Sequence, residues 1–273
     1  MAIRFDARTE RVTYGSSSVG SGSQNIHILQ DFYIDQVPGS DPGGATNYTL
    51  VRQMPASQAS GTDGGFLVLL DDSDGGSANV VRGFLYNYPQ SNYNRTTADA
   101  YSGATWHSYR GKLSRLFNDQ EVEIDGVDVE DTQIGTNWTA NTWTDDLIIG
   151  GSATTSYYDG AIGETAIFVE PGLSGLYQEM VDMWDAGWSL DVFMTELAFF
   201  APMLTGTADL RGLVATDTGT PSPEPGKFRI VACEPQTYFP AGSGGGGGGA
   251  GIKWNATDID WNGLTNDKWN GYA

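Results

Sequence analysis

Four sets of residues in this sequence have types and spacings suited to chemistry. In Glu121-Val122-Glu123-Ile124-Asp125, strand alternation sets Glu121, Glu123 and Asp125 on one face, the placement that paired carboxylates need to cleave a glycosidic bond. Gly126 follows, and Asp125-Gly126 is hairpin-turn chemistry, which aims those acids at solvent instead. Asp71, Asp72 and Asp74 offer the hard oxygen ligands that calcium takes. The glutamate that closes an EF-hand loop does not follow them, and a solvated acidic turn has the same composition. Tyr86, Tyr88, Tyr93, Trp138 and Trp143 are the aromatic side chains best placed near loops to stack on sugars; packing in the core or anchoring a loop is their other use. Finally, Trp254, Trp261 and Trp269 each precede an asparagine, at spacings of 7 and 8 residues. Exposed tryptophans are costly unless they pack, so these are candidates for docking on the protein's own body or on a neighbouring subunit.

Other catalytic templates fail on named residues. His27 and His107 are too few for a histidine-rich zinc site. Ser243 sits in a glycine tract rather than on a strand–elbow–helix, and the run Gly244 to Gly249 lacks the lysine of a phosphate loop. The expectation is a protein without a catalytic centre, with calcium the one cofactor left open.

The elements that position these residues read as short strands. Candidates are Ile26 to Ile34, Phe66 to Leu70, Val80 to Tyr86, Trp106 to Phe117, Val122 to Ile124, Leu147 to Gly150 and Ala161 to Val169. Between them stand turn formers such as Asp63-Gly64-Gly65, Asp74-Gly75-Gly76, Asp125-Gly126 and Asp159-Gly160. One helix is expected from about Gly175 to Ala186, capped by Ser174 and ended by Gly187, with Leu176, Met180 and Trp184 on one stripe. Val192 to Met203 reads as a second helix running into an extended piece near Pro202. Residues 215–227, with Pro221, Pro223 and Pro225, read as a long rigid loop, and Phe228 to Cys233 as one closing strand. Short strands without alternating long helices give an all-β antiparallel sandwich of jelly-roll type, with one or two short edge helices and a C-terminal extension. The domain division is 1–241 for the sandwich, 242–251 for a glycine-rich linker and 252–273 for an aromatic tail.

Composition narrows the partners. The formal charge is −20, from 34 acidic and 14 basic residues, which leaves no basic stripe for nucleic acid and no attraction to an anionic membrane. Cys233 is the only cysteine, so no intrachain disulfide forms. No run approaches the length of a membrane span, and the N-terminus lacks the apolar core of a secretory signal.

From Trp106 to Trp184 the sequence resembles the laminin-G-like domains of the concanavalin-A-like lectin/glucanase superfamily. The resemblance rests on Trp106-His107, the Asp125-Gly126 hairpin, the Leu147-Ile148-Ile149-Gly150 strand, and Tyr158-Asp159-Gly160-Ala161-Ile162-Gly163-Glu164 leading to Leu173-Ser174. It implies a jelly roll that binds carbohydrate or protein, in some members with calcium at the rim, though no residue set here matches a metal motif well enough to carry one over. It also bears on the acidic trio. Relatives that hydrolyse β-glucans show Glu-x-Asp-x-x-Glu, whereas Glu123 and Asp125 are followed here by Asp128.

Two functions follow from this reading. The first is a virion structural protein, a bacteriophage decoration, capsid-associated or tail-associated chain. It would dock on other virion proteins or on copies of itself through Trp254, Trp261 and Trp269. It is favoured by the missing signal and disulfides, the single large domain and the glycine-tethered tail. The alternative is a carbohydrate-binding, lectin-like module.

Overall fold

The computed structural model describes residues 2–6, 9–15, 19, 25–40, 47–54, 64–72, 79–87, 90–97, 99–116, 119–135, 143, 145–151, 158–169, 177–193, 197–203, 215–227 and 229. The chain divides into Met1–Cys233 and Glu234–Ala273, and every described residue lies in the first unit. The linker and tail boundaries at 242–251 and 252–273 lie outside the described residues.

Two eight-stranded sheets, with every strand pair antiparallel, make up the described part. Sheet A contains β1 (Ala2–Phe5), β3 (Ile26–Ile34), β8 (Trp106–Leu113), β9 (Glu121–Ile124), β10 (Val127–Asp128), β13 (Gly160–Val169), β14 (Phe199–Ala201) and β16 (Ser222–Glu224). Its order is β10-β9-β8-β3-β13-β1-β16, with β14 also paired to β13. Sheet B contains β2 (Arg11–Tyr14), β4 (Asn47–Gln53), β5 (Gly64–Asp71), β6 (Val80–Asn87), β7 (Gln90–Thr96), β11 (Glu130–Ile134), β12 (Leu147–Ile149) and β15 (Ala215–Thr218). It runs β11-β7-β6-β5-β4-β12-β2-β15.

The main core follows from period-2 alternation on facing strands. Ile26, Ile28, Phe32 and Ile34 of β3 and Tyr109 and Leu113 of β8 meet Phe66, Val68 and Leu70 of β5 and Val12 and Tyr14 of β2 in one buried cluster. Gly160 explains part of the resemblance phrase. Its φ is 148°, and a Cβ there would lie 2.0 Å from the Tyr33 carbonyl oxygen, so only glycine lets β13 come this close to β3. The same carbonyl accepts a hydrogen bond from the buried Tyr158 hydroxyl at 2.8 Å. The Asp125-Gly126 hairpin forms as expected, with φ of 53° and 75° at its two central residues.

Helix α1 spans Tyr177–Asp185 and ends as the sequence predicts. Gly187 has φ 85°, its N–H donates to the Trp184 carbonyl, and the Trp188 N–H reaches back to the Met183 carbonyl, which is a Schellman end. Two expectations change. Val192 to Met203 holds no second α-helix among its described residues. A 3-10 turn at Asp191–Phe193 is followed by β14, because Phe199 and Ala201 face the main core and Phe200 the opposite side, a strand period. The proline-bearing stretch is not one loop either: β15 and β16 pair with β2 and β1 at the margins of sheets B and A. Proline is tolerated at such edges because its missing N–H faces no partner strand. The turn joining these two strands is held by the buried Glu10 carboxylate, which accepts from the Thr220 N–H at 3.1 Å and from the Asp6 N–H at 2.7 Å.

Candidate functional site

Chemistry in such a sandwich must sit on an outer face or at a rim. Sheet A's outer face carries the acidic trio. Alternation sends Ser108, Arg110 and Lys112 of β8 and Glu121 and Glu123 of β9 outward. Arg110 pairs with Glu123, and Lys112 lies 2.6 Å from Asp119 and 4.0 Å from Glu121. Asp125 meets His107 Nδ1 at 2.7 Å, accepts the Ser108 N–H at 2.8 Å and has the Lys227 ammonium at 3.7 Å. Burial pushes its carboxyl pKa up, but the hydrogen bonds from His107 and Ser108 and the nearby cations outweigh that and hold it below the usual value. Each member of the trio is thus engaged with a basic group, and none is poised as a proton donor opposite a second free carboxylate. His107 does not complete a nucleophile relay. Its Nε2 meets the Ser102 backbone, while the Ser108 hydroxyl donates to Asp31. The dyad latches a loop to a hairpin.

Deeper on the same face lies a buried ionic cluster whose members are too far apart in the chain for any periodicity to link them. Asp31 and Arg229 are 1% and 6% exposed and join by two parallel hydrogen bonds of 2.7 and 2.8 Å. Arg229 also donates to the Trp184 carbonyl and lies over the Trp184 ring at 3.4 Å from its centroid. Lys227 donates to Ser108 Oγ at 2.6 Å. Lys227 and Arg229 therefore tie the outer face of sheet A to α1. Beside them Glu164 accepts the Leu190 N–H at 2.7 Å. Burial pushes its carboxyl pKa up to about 7, a rise that this N–H, Ser189 and Arg229 only partly offset. The rest of this face is closed by a second apolar cluster, in which Leu29, Ala166 and Phe168 meet Met180 and Trp184 of α1 and Leu190, Phe193, Leu197 and Phe200 beyond it.

Sheet B's outer face differs. Cross-strand register builds one row across it, Thr13–Ile148–Arg52–Leu67–Phe84–Tyr93. The next row runs Thr49–Leu69–Arg82–Arg95–Thr132. Phe84 and Tyr86 stand two residues apart on β6, both partly exposed, with rings 5.6 Å apart and 9° from parallel. Of the residues expected to stack on sugars, Tyr86 is on this face and Tyr93 is set opposite Phe84 by register. Trp143 is instead 5% exposed and packs in the core against Phe66, 5.8 Å away. Tyr88 and Trp138 lie outside the described residues, as do the docking candidates Trp254, Trp261 and Trp269. Phe84 was missed although its signal was legible: alternation along β6 puts Arg82, Phe84 and Tyr86 on one side.

The acidic loop expected for calcium is partly placed. Asp71 pairs with Arg82 at 3.1 Å, a Cβ on Gly39 would fall on the Asp72 carboxylate, and Asp74 lies outside the described residues. Among the described residues, no group of three or more His, Cys, Asp or Glu is arranged to hold a metal ion.

No protein-family model matches the sequence, and no curated protein matches it. Solved structures do. A "putative carbohydrate binding protein" from Bacteroides ovatus matches at a TM-score of 0.51 with 12% identity, covering 81% of this chain and 60% of that one. A heptameric pentraxin from Limulus polyphemus matches at 0.43 with 10% identity, over 61% of this chain and 75% of the pentraxin. Two domains of the mouse laminin alpha1 chain match at 0.43 with 13% identity, over 61% of this chain and 41% of that one. This chain thus spans less than two thirds of the Bacteroides and laminin chains. Together with the two-sheet topology, the likeness to the Bacteroides structure gives the fold as an antiparallel two-sheet β-sandwich.

Proposed function

We propose that the chain is a non-catalytic, lectin-like carbohydrate-binding module with its ligand on the outer face of sheet B. The observation that carries this reading is the near-parallel, partly exposed pair Phe84 and Tyr86. Aromatic faces take up the C–H face of a sugar, while flanking polar groups fix its orientation. On β6 itself, alternation puts Arg82 on the same face as Phe84 and Tyr86. The name of the Bacteroides protein supports the same reading, on a likeness of fold. Within the superfamily we take the chain as laminin-G-like, on Trp106-His107 and the Gly160 to Glu164 phrase. The virion reading depends on Trp254, Trp261 and Trp269, outside the described residues, and takes second place.

The test is a glycan array probed with the intact chain, followed by titration of the bound glycan against Phe84→Ala and Tyr86→Ala. Each variant should weaken binding by about tenfold while the thermal midpoint changes little. Undiminished binding by both variants would remove this face as the site, and an array without any bound glycan would remove the reading itself.

A further inference from the structure

The buried ionic cluster on sheet A is built around a β-bulge. Ile162 pairs with Phe32 and Thr165 with Gln30, so Gly163 and Glu164 together stand opposite the single residue Asp31. Strand alternation from Ile162, which lies in the main core, would send Glu164 inward; the bulge turns it outward to Leu190. Gly163 adds no side chain there, and a Cβ on it would lie 3.0 Å from the Asp31 Cβ. Two carboxylates therefore share one guanidinium. Arg229 is joined to Asp31 by two hydrogen bonds, and both of these charges act on Glu164, which is 4% exposed. The Ser189 hydroxyl and the Leu190 N–H donate to Glu164, and Ser108 Oγ donates to Asp31. Lys227 and His107, beyond Ser108, are engaged with Asp125. With both acids ionised, the Asp31–Glu164–Arg229 cluster carries one uncompensated negative charge in a buried place, and a proton on Glu164 removes it.

The same cluster latches α1 and the turn after it to the sheet. Arg229, seated on Asp31, donates to the Trp184 carbonyl near the end of α1, and Glu164 takes the Leu190 N–H beyond it. Met180, Trp184, Leu190 and Phe193 add apolar contact to Leu29, Ala166 and Phe168. We propose that residues 177–193 are a proton-gated cover on sheet A, latched while the Asp31–Glu164–Arg229 cluster holds one proton and opened more readily once that proton is lost. Opening carries Ser189 and Leu190 away from Glu164 and lets water reach its carboxylate. Burial raises the Glu164 carboxyl to about 7 in the latched form, against 4.5 in water. Below about pH 4.5 both forms hold the proton, and the cover is tightest. Between these two values only the latched form holds it, so the opening constant rises by up to about tenfold per pH unit, about 300-fold in all. Above about pH 7 both forms have lost it and the constant is level.

The experiment is hydrogen exchange of the intact chain from about pH 4 to about pH 8, read by mass spectrometry and corrected for the intrinsic exchange rate at each pH. The expected result is lower protection over residues 177–193 than over Ile26–Ile34 of β3, falling by about 200-fold across that range. Glu164→Gln keeps an acceptor for the Leu190 N–H but has no proton to lose, so its protection over 177–193 should be independent of pH. Asp31→Asn removes the like charge and leaves Arg229 to Glu164, so the upper end of the fall should move below about pH 7. Protection that pH leaves unchanged, or a fall that survives in Glu164→Gln, overturns the gate. Exchange over 177–193 at the rate of β3 shows that the segment leaves only with the whole fold and overturns the cover. An upper end unmoved in Asp31→Asn overturns the shared cluster; if that variant does not fold, the Glu164→Gln comparison decides alone.

Discussion

The outer faces of the two sheets solve the same exposure problem in opposite ways. On sheet A the chain covers itself. An apolar layer from α1 and the segment after it buries Leu29 and Phe168, Arg229 is held on Asp31, and charges pair across β8 and β9. On sheet B the central strands keep Leu67, Leu69, Phe84 and Tyr86 partly exposed, while Thr49, Arg52 and Ile148 in the same rows are buried. Partly exposed aromatic and apolar side chains in adjacent rows are what a ligand surface needs, whereas a self-covered face has little left to offer a partner. The acidic trio and the Asp125–His107 dyad, both suggestive of catalysis in isolation, lie on the self-covered side and serve to hold it together.

If this contrast is right, substitutions should separate the faces by their effect on stability. The largest loss is expected for Arg229→Ala, which leaves Asp31 buried and uncompensated; chemical denaturation should show about 3–5 kcal/mol less stability. Replacing the pair together, Asp31→Leu with Arg229→Met, should recover most of that, because desolvation then disappears with the charges. Phe168→Ala opens a cavity in the second apolar cluster and should cost about 3–5 kcal/mol by the same assay.

Next in size is a pH effect on the self-covered face. The Glu164 carboxyl is raised to about 7 from 4.5, so the folded state holds a proton that the unfolded state has lost between those values. Stability from this group is therefore present below about pH 4.5 and falls as pH rises to about 7, by up to about 3 kcal/mol. In Glu164→Gln that slope should be absent, as measured by denaturation at a series of pH values. The smallest effect belongs to the open face. Leu67→Thr should change stability by less than about 1 kcal/mol, since the side chain is already partly in water. A loss as large as that at Phe168 would show that sheet B is covered too, and would break the comparison.

Much of the scaffold was legible in the sequence because it is local. Ile26 to Ile34 announced β3 by its apolar positions, Asp125-Gly126 announced a turn that needs positive φ, and Gly187 announced the end of α1. β7 gave no such signal. Gln90 to Thr96 is almost wholly polar and becomes a strand by pairing with β6 and β11. β16 was hidden by Pro223 within it, and β15 by the prolines that follow it. The candidate site was legible only in fragments, since Tyr86 could be named from its type but its companions depend on register. Asp31 and Arg229 are 198 residues apart, and no periodicity links them.

The placement of β15 and β16 beside β2 and β1 has a consequence for the order of folding. The first 14 residues of the chain and residues 215–224 close the same side of the sandwich, one strand pair in each sheet, around the Glu10 carboxylate. During synthesis, therefore, β1 and β2 must wait with both edges unpaired until β12 and β13 have emerged, and with one edge unpaired until β15 and β16 follow, a long-range closure of the kind that makes β-sandwiches slow to complete. In the last stage of that interval the nascent protein presents two open strand edges, one in each sheet, until β15 and β16 seal them.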